Sequence, residues 1–145
     1  MKLVIQRVKS AKVTVKDTGK VSGKINAGLF VLVGFKKGDT GKDAELLAVK
    51  LSRLRIMSDD QDKMNKSILD TGDSLLVVSQ FTLYANTNDG NRPSFIEAEE
   101  PNKARELYEY FIEKLRELNI KVETGSFGDY MEIEASLDGP VTIML

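Results

Sequence analysis

The chain contains no cysteine and no histidine. The first absence removes disulfides, thiolate nucleophiles and the usual structural zinc sets. The second removes every Ser-His-Asp and Cys-His arrangement, together with the side chain most often used as a general base near neutral pH. Catalysis, if there is any, must come from carboxylates, lysine, tyrosine, hydroxyls, backbone amides or groups on the substrate. Neither a metal site nor a cofactor is expected. No apolar run approaches the ~18 residues of a membrane-spanning helix. The N-terminal apolar piece Leu3-Val4-Ile5 is interrupted at once by Gln6 and Arg7, too short for the core of a secretion signal, so a cytoplasmic location is the expectation. There is no low-complexity tract, internal repeat or domain boundary.

What is present describes one globular domain over residues 1–145, with 41% hydrophobic and 30% charged residues, enough for a real core. The net charge of −1 hides an asymmetry. Residues 1–42 carry ten Lys or Arg against only Asp17 and Asp39, and the remainder is strongly acidic. Such a split points to a basic face for a polyanion. The spacing of Lys12, Thr14 and Lys16 also fits the solvent side of an edge strand, where lysine blocks aggregation.

Periodicity supplies the elements. Leu3–Val8 and Ala11–Val15 read as strands, the second alternating Val13 and Val15 with Lys12, Thr14 and Lys16. Asp17-Thr18-Gly19 turns the chain into a third strand at Val21–Ile25. Leu29–Phe35 is apolar throughout and reads as a central strand. Thr40 and Asp43 form a variant capping box ahead of an amphipathic helix to about Arg55, its stripe Ala44, Leu47, Ala48, Leu51 and Leu54. Residues 58–73 are polar, and Asp59, Asp60 and Asp62 fit a solvated turn better than a calcium loop, whose glycine and terminal Glu are missing. Pro101 stands at the first position of a second helix, with Ala104, Leu107, Tyr108, Phe111, Leu115 and Leu118 on one face. Strands follow at Val122–Ser126, Tyr130–Ser136 and Val141–Leu145. The expected fold is α/β in the α+β sense: a mostly antiparallel curved sheet or partly open β-barrel, with two helices packed on one side.

One stretch invites chemistry. Leu75-Leu76-Val77-Val78 is a fully apolar strand that runs without a Gly or Pro break into Ser79, Gln80, Phe81 and Thr82. Hydrogen-bonding side chains at the end of a buried strand are held rigidly beside a loop that can admit a ligand. A strand simply running out into solvent gives the same pattern.

Three stretches together resemble the D-aminoacyl-tRNA deacylase family: Ser79-Gln80-Phe81-Thr82-Leu83-Tyr84, Gly90-Asn91-Arg92-Pro93-Ser94-Phe95 and Gly139-Pro140-Val141-Thr142. Gln6-Arg7-Val8, Lys63-Met64-Asn65 and Thr124-Gly125-Ser126-Phe127-Gly128 add to the likeness, in the family's order along the whole chain. The resemblance implies an enzyme that cleaves the ester between a D-amino acid, or glycine, and the terminal adenosine of tRNA. It implies a homodimer with its active sites at the subunit interface, a β-β-α fold, and a cis peptide at Gly139-Pro140 that reaches the partner's site and excludes L side chains. It casts Ser79 and Gln80 as orienting groups and the backbone around Gln80 and Phe81 as an oxyanion hole. Thr82 is either a nucleophile or, with no base to activate it, an orienting group. Arg7 would hold the Gly-Pro loop, and Phe127 and Met131 would shape the adenosine pocket. In the family the RNA's own 2′-hydroxyl is thought to share in the reaction. This chain departs from the family pattern at Leu137, Asp129 and Tyr130. A dimeric tRNA-binding protein without turnover is the alternative reading, and a relative acting on L-aminoacyl-tRNA a third.

Overall fold

A computed structural model describes residues 1–145. The first strand, β1 (Lys2–Val15), is a single 14-residue ribbon where sequence periodicity suggests two. It pairs antiparallel with β2 (Val21–Ile25), β3 (Gly28–Gly34) and β8 (Met131–Met144). Register shifts between Gln6 and Ser10 absorb the irregular step between its two halves. β8 is likewise one strand, running through Gly139-Pro140 rather than stopping there. The Gly139-Pro140 peptide is cis.

Beyond β3 the sheet changes sense. β3 pairs parallel with β6 (Ser74–Ser79), and β6 pairs parallel with β7 (Lys121–Thr124). Parallel neighbours need long crossovers. One contains helix α1 (Gly41–Ser52) and the other helix α3 (Pro101–Glu117). The sheet curls almost closed. β2 comes so near β7 that a Cβ added at Gly23 would stand 2.5 Å from the Thr124 carbonyl oxygen.

This curvature explains why the apolar runs lack alternation. Leu29, Val31 and Val33 of β3, with Leu75 and Val77 of β6, face the helices and join Ala44, Ala48, Leu51, Leu107, Phe111 and Leu115. Phe30, Leu76 and Val78 point into the sheet's interior with Val8, Val13 and Ile25. Both faces of β3 and β6 are therefore dry. Phe111 is fully buried, and burial of such a ring contributes about 2–3 kcal/mol.

The helix starts follow local chemistry. The Asp43 carboxylate accepts the Thr40 N–H at 2.8 Å and the Thr40 hydroxyl at 2.6 Å, closing the expected capping box. These bonds hold the Asp43 carboxyl below its ordinary value, the hydroxyl contributing most. Pro101 opens α3, where its missing N–H costs nothing. The polar span 58–73 is not featureless. It holds a small hairpin of β4 (Met57–Ser58) and β5 (Met64–Lys66) and a one-turn helix α2 (Ile68–Thr71), the third helix where the sequence suggests two. Asp59 caps the hairpin turn, accepting the N–H groups of Gln61 and Lys63 at 2.9 and 3.0 Å. No helix is long and apolar enough to cross a membrane.

Candidate active site

The site begins where β6 ends. Ser79 is the last residue paired with β3, opposite Val33. The Gln80 N–H still donates to the Val33 carbonyl at 2.7 Å, so this amide is committed to the sheet. The chain then tightens into a 3-10 turn over Phe81–Tyr84. Gly34 makes room for that turn: a Cβ there would lie 3.0 Å from the Gln80 carbonyl and 3.1 Å from the Leu83 side chain. The N–H groups of Phe81 and Thr82 open the turn, where the turn itself has no carbonyl to receive them. Neither donates to the backbone acceptors found in the protein's loops and turns. The Gln80 side-chain amide donates to Thr82 Oγ1 at 2.6 Å, locking the two side chains together.

These groups border a cleft of about 1010 Å³. Of the residues singled out from sequence, Ser79, Gln80, Phe81, Phe127 and Met131 line it. Thr82 stands just outside the lining and enters through its bond to Gln80. Met131 is anchored by the Ser126 N–H, which points at its sulfur from 3.2 Å. Phe127 packs against Tyr108, ring centroids 5.7 Å apart, and the buried Tyr108 hydroxyl donates to the Val77 carbonyl at 2.8 Å. Burial raises the Tyr108 phenol far above its usual range, so it remains protonated.

Sequence reasoning missed much of the wall. Lys37, Ile96, Glu99 and Ile133 all line the cleft. Phe95, within a stretch flagged for its family likeness, meets Phe81 edge to face at 5.1 Å and 74°. Only that motif carried a signal; the others are single positions brought together by the fold. The Glu99 carboxyl is held below its ordinary value, chiefly by the Lys103 ammonium at 2.8 Å. It is a charge already satisfied rather than a free base. The departing residues Asp129 and Tyr130 also line the cleft, and the Asp129 carboxylate accepts the Ser126 hydroxyl. Across the chain, three or more carboxylates nowhere gather in a way that would hold a metal ion.

Arg7, Gly139 and Pro140 form a separate group that does not line the cleft of the same chain. Arg7 Nη1 donates to the Ile56 carbonyl at 3.0 Å and to the Ser58 hydroxyl at 3.3 Å. Its Nε lies 2.9 Å from the Asp138 carboxylate, too poorly aligned for a hydrogen bond, so the contact is an ion pair. Arg7 thus fastens the residue next to Gly139-Pro140. Chemically, the cleft offers the backbone donors at the start of a 3-10 turn, a fixed amide-hydroxyl pair and apolar walls, with no histidine or cysteine to titrate near neutrality.

The chain can now be set beside known proteins. A sequence profile described as D-Tyr-tRNA(Tyr) deacylase matches residues 4–145. A protein of Thermosipho melanesiensis named D-aminoacyl-tRNA deacylase is 53% identical, the match covering 100% of this chain and 96% of the relative. One of the same name from Aquifex aeolicus is also 53% identical, covering 100% and 97%. Among solved structures, that of a "c-Myc DNA Unwinding Element Binding Protein" superposes with a TM-score of 0.92 at 39% identity, covering 100% of this chain and 97% of that one. A structure titled as a probable eukaryotic D-amino acid tRNA deacylase superposes with a TM-score of 0.86 at 17% identity, covering 99% and 97%, and bears on the fold alone.

Proposed function

The chain belongs to the D-Tyr-tRNA(Tyr) deacylase family, and on that premise we propose how its cleft works as a D-aminoacyl-tRNA deacylase, a hydrolase that removes D-amino acids from tRNA. The terminal adenosine enters between Phe127 and Met131. The ester carbonyl sits over the start of the 3-10 turn, where the Phe81 and Thr82 N–H groups receive its oxygen as negative charge develops. Water adds to the carbonyl carbon, the ester C–O bond breaks, and the ribose oxygen leaves with a proton. The ribose hydroxyl beside the ester assists the proton transfer, since the chain has no histidine to do so. Ser79 and the Gln80 amide orient the aminoacyl group. The Phe81 and Thr82 donors that open the 3-10 turn at the end of β6 carry this reading.

The chiral filter is proposed to come from a second copy of the chain. β8 is exposed along most of its length, with Ile133 and Leu137 beside Val13 and Val8 on one face and Met144 beside Val4 on the other. Phe81 and Ile96, at 55% and 72% exposure, continue an apolar surface at the cleft. A homodimer formed across this surface covers it and brings one subunit's Gly139-Pro140 to the other's cleft, where it leaves no room for an L side chain.

Hydrolysis of D-tyrosyl-tRNA and L-tyrosyl-tRNA by the wild type and by Pro140→Ala tests the reading. Fast loss of the D ester alone by the wild type, with the L ester becoming a substrate in the variant, is expected. If neither ester nor glycyl-tRNA is cleaved above the spontaneous rate, the enzyme reading fails, and salt-dependent tRNA binding would then favour a binding protein. A monomer in sedimentation at micromolar concentration would remove the shared site.

A further inference from the structure

Just outside the cleft lining, one cation is held in place by the cleft wall without an ionic partner. Pro101 and Ala104 of α3 line one wall, and Phe127 and Gly128 line the segment facing it. Arg105, the residue after Ala104, reaches across this junction. Its guanidinium carbon stands 4.7 Å from the centroid of the Phe127 ring, and Nη2 donates to the Phe127 carbonyl at 3.3 Å. A ring below and a carbonyl at one edge fix the orientation of a flat, permanently charged fork.

No ion pair in the protein includes Arg105. The carboxylates around it are engaged or out of reach. Glu99 holds Lys103, Asp129 takes the Ser126 hydroxyl, and neither Glu106 nor Glu109 of the same helix closes on it. A Cβ added at Gly128 would lie 3.9 Å from Nη2, at ordinary contact distance, so the facing backbone does not crowd the group. An exposed arginine with most of its donors unused and its position fixed is arranged to meet an anion.

The proposed reaction says which anion passes there. If the ester of the terminal adenosine is buried at the β6 turn, the 5′-phosphate of that adenosine must lie at the cleft's edge, where the strand leaves. We propose that Arg105 is a phosphate-binding residue for the phosphodiester that joins the terminal adenosine to the preceding nucleotide of the tRNA. Phe127 then has two duties: it walls the pocket and holds the arginine at its rim. The inference rests on the deacylase reading and adds a positioning contact to it.

Two substrates separate the contact from the chemistry: D-tyrosyl-tRNA, and 3′-O-D-tyrosyladenosine, which keeps the ester and the base but has no phosphate. Wild type, Arg105→Ala and Arg105→Lys are compared on both. A charge-assisted bond of ordinary strength predicts that Arg105→Ala lowers kcat/KM on D-tyrosyl-tRNA about ten- to a hundredfold, chiefly through KM. The loss on the nucleoside ester should be smaller by about tenfold or more, and lysine should restore part of the activity because it keeps the charge without the fork. Binding of uncharged tRNA across a salt series gives a second readout. Its log–log slope should flatten by about 0.7 in Arg105→Ala, the share of one single-strand phosphate. Equal losses on both substrates, or an unchanged slope, would overturn the proposal while leaving the deacylase intact. If the wild type cleaves neither ester, the reaction fails instead, and the salt slope alone decides for or against Arg105.

Discussion

Replacing Thr82 by valine separates two accounts of the cleft. Valine keeps the shape and removes only the hydroxyl. In the structure Thr82 Oγ1 is an acceptor, taking the Gln80 amide N–H at 2.6 Å. A nucleophilic threonine needs the opposite, a neighbour that takes its proton. No bonded group does so here, and the chain has no histidine. Losing one hydrogen bond on a solvent-facing turn costs about 0.5–1.5 kcal/mol, which is roughly a two- to tenfold fall in rate. Removing the nucleophile of a hydrolase instead costs on the order of 10⁶ in kcat, as the subtilisin serine shows. The gap of several orders of magnitude exceeds any uncertainty in one hydrogen bond. Single-turnover hydrolysis of D-tyrosyl-tRNA, with circular dichroism to confirm folding, reads it directly. A folded Thr82→Val protein slowed more than about 10⁴-fold would refute the orienting role, as would an acyl-threonine adduct trapped in the wild type.

Three further outcomes follow from contacts described above. Tyr108→Phe removes the hydroxyl that donates to the Val77 carbonyl, but the Gly125 N–H still reaches that oxygen at 3.0 Å. The expected loss is therefore about 1 kcal/mol, or about 3 °C in Tm for a chain of this length; a loss above about 3 kcal/mol in urea unfolding would mean the carbonyl had been left unpaired. Asp43 and Asp70 both sit in capping boxes that lower their carboxyl pKa values below the ordinary one, the Thr40 and Ser67 hydroxyls respectively contributing most. A lowered folded-state value means that the stabilisation is complete above the ordinary carboxylate range, about pH 4, and is lost as pH falls through the lowered values. Urea midpoints taken from pH 6 to pH 2 should thus fall less steeply in the Asp43→Asn, Asp70→Asn double variant than in the wild type, and parallel curves would contradict the assignment. Asp138→Ala unpins the Gly139-Pro140 corner from Arg7. Because Asp138 is 38% exposed, the stability cost is about 1 kcal/mol or less, while the preference for D- over L-tyrosyl-tRNA should drop; unchanged selectivity would show that the ion pair does not hold the filter.

The elements that could be read from sequence are those whose signal is local. Leu29–Phe35 announces a central strand because both its faces are covered, and the stripes of α1 and α3 announce themselves because each packs on one side only. Thr40, Asp43 and Pro101 mark helix starts through chemistry confined to a single turn. The continuity of β1 and β8 is not local. Each stays one strand because its partner bends with it through the register shifts, and no residue within Lys9–Ser10 or Gly139–Pro140 says so. The parallel joins of β3, β6 and β7 depend on where the helical crossovers land, which pattern alone does not give. The site divides in the same way. Ser79, Gln80 and Phe81 could be found because a strand turns polar there, while Ile96 and Glu99 reach the cleft from a loop with no periodicity. The committed Gln80 amide was also hidden, since its acceptor, Val33, lies 47 positions earlier in the chain.

The length of β8 has a consequence for how this protein can change. The strand carries Met131 and Ile133, which form cleft wall, and also carries Gly139-Pro140, the corner pinned beside Arg7. In a pleated ribbon, inserting or deleting one residue turns every later side chain to the opposite face. An indel between Ile133 and Asp138 would therefore leave the wall intact while aiming the corner elsewhere and parting Asp138 from Arg7. Substitutions can reshape the pocket or the corner one at a time, but the spacing between them is a single inherited dimension, and variation in chain length belongs in the loops, such as the turn at Asn88–Asn91, rather than in this strand.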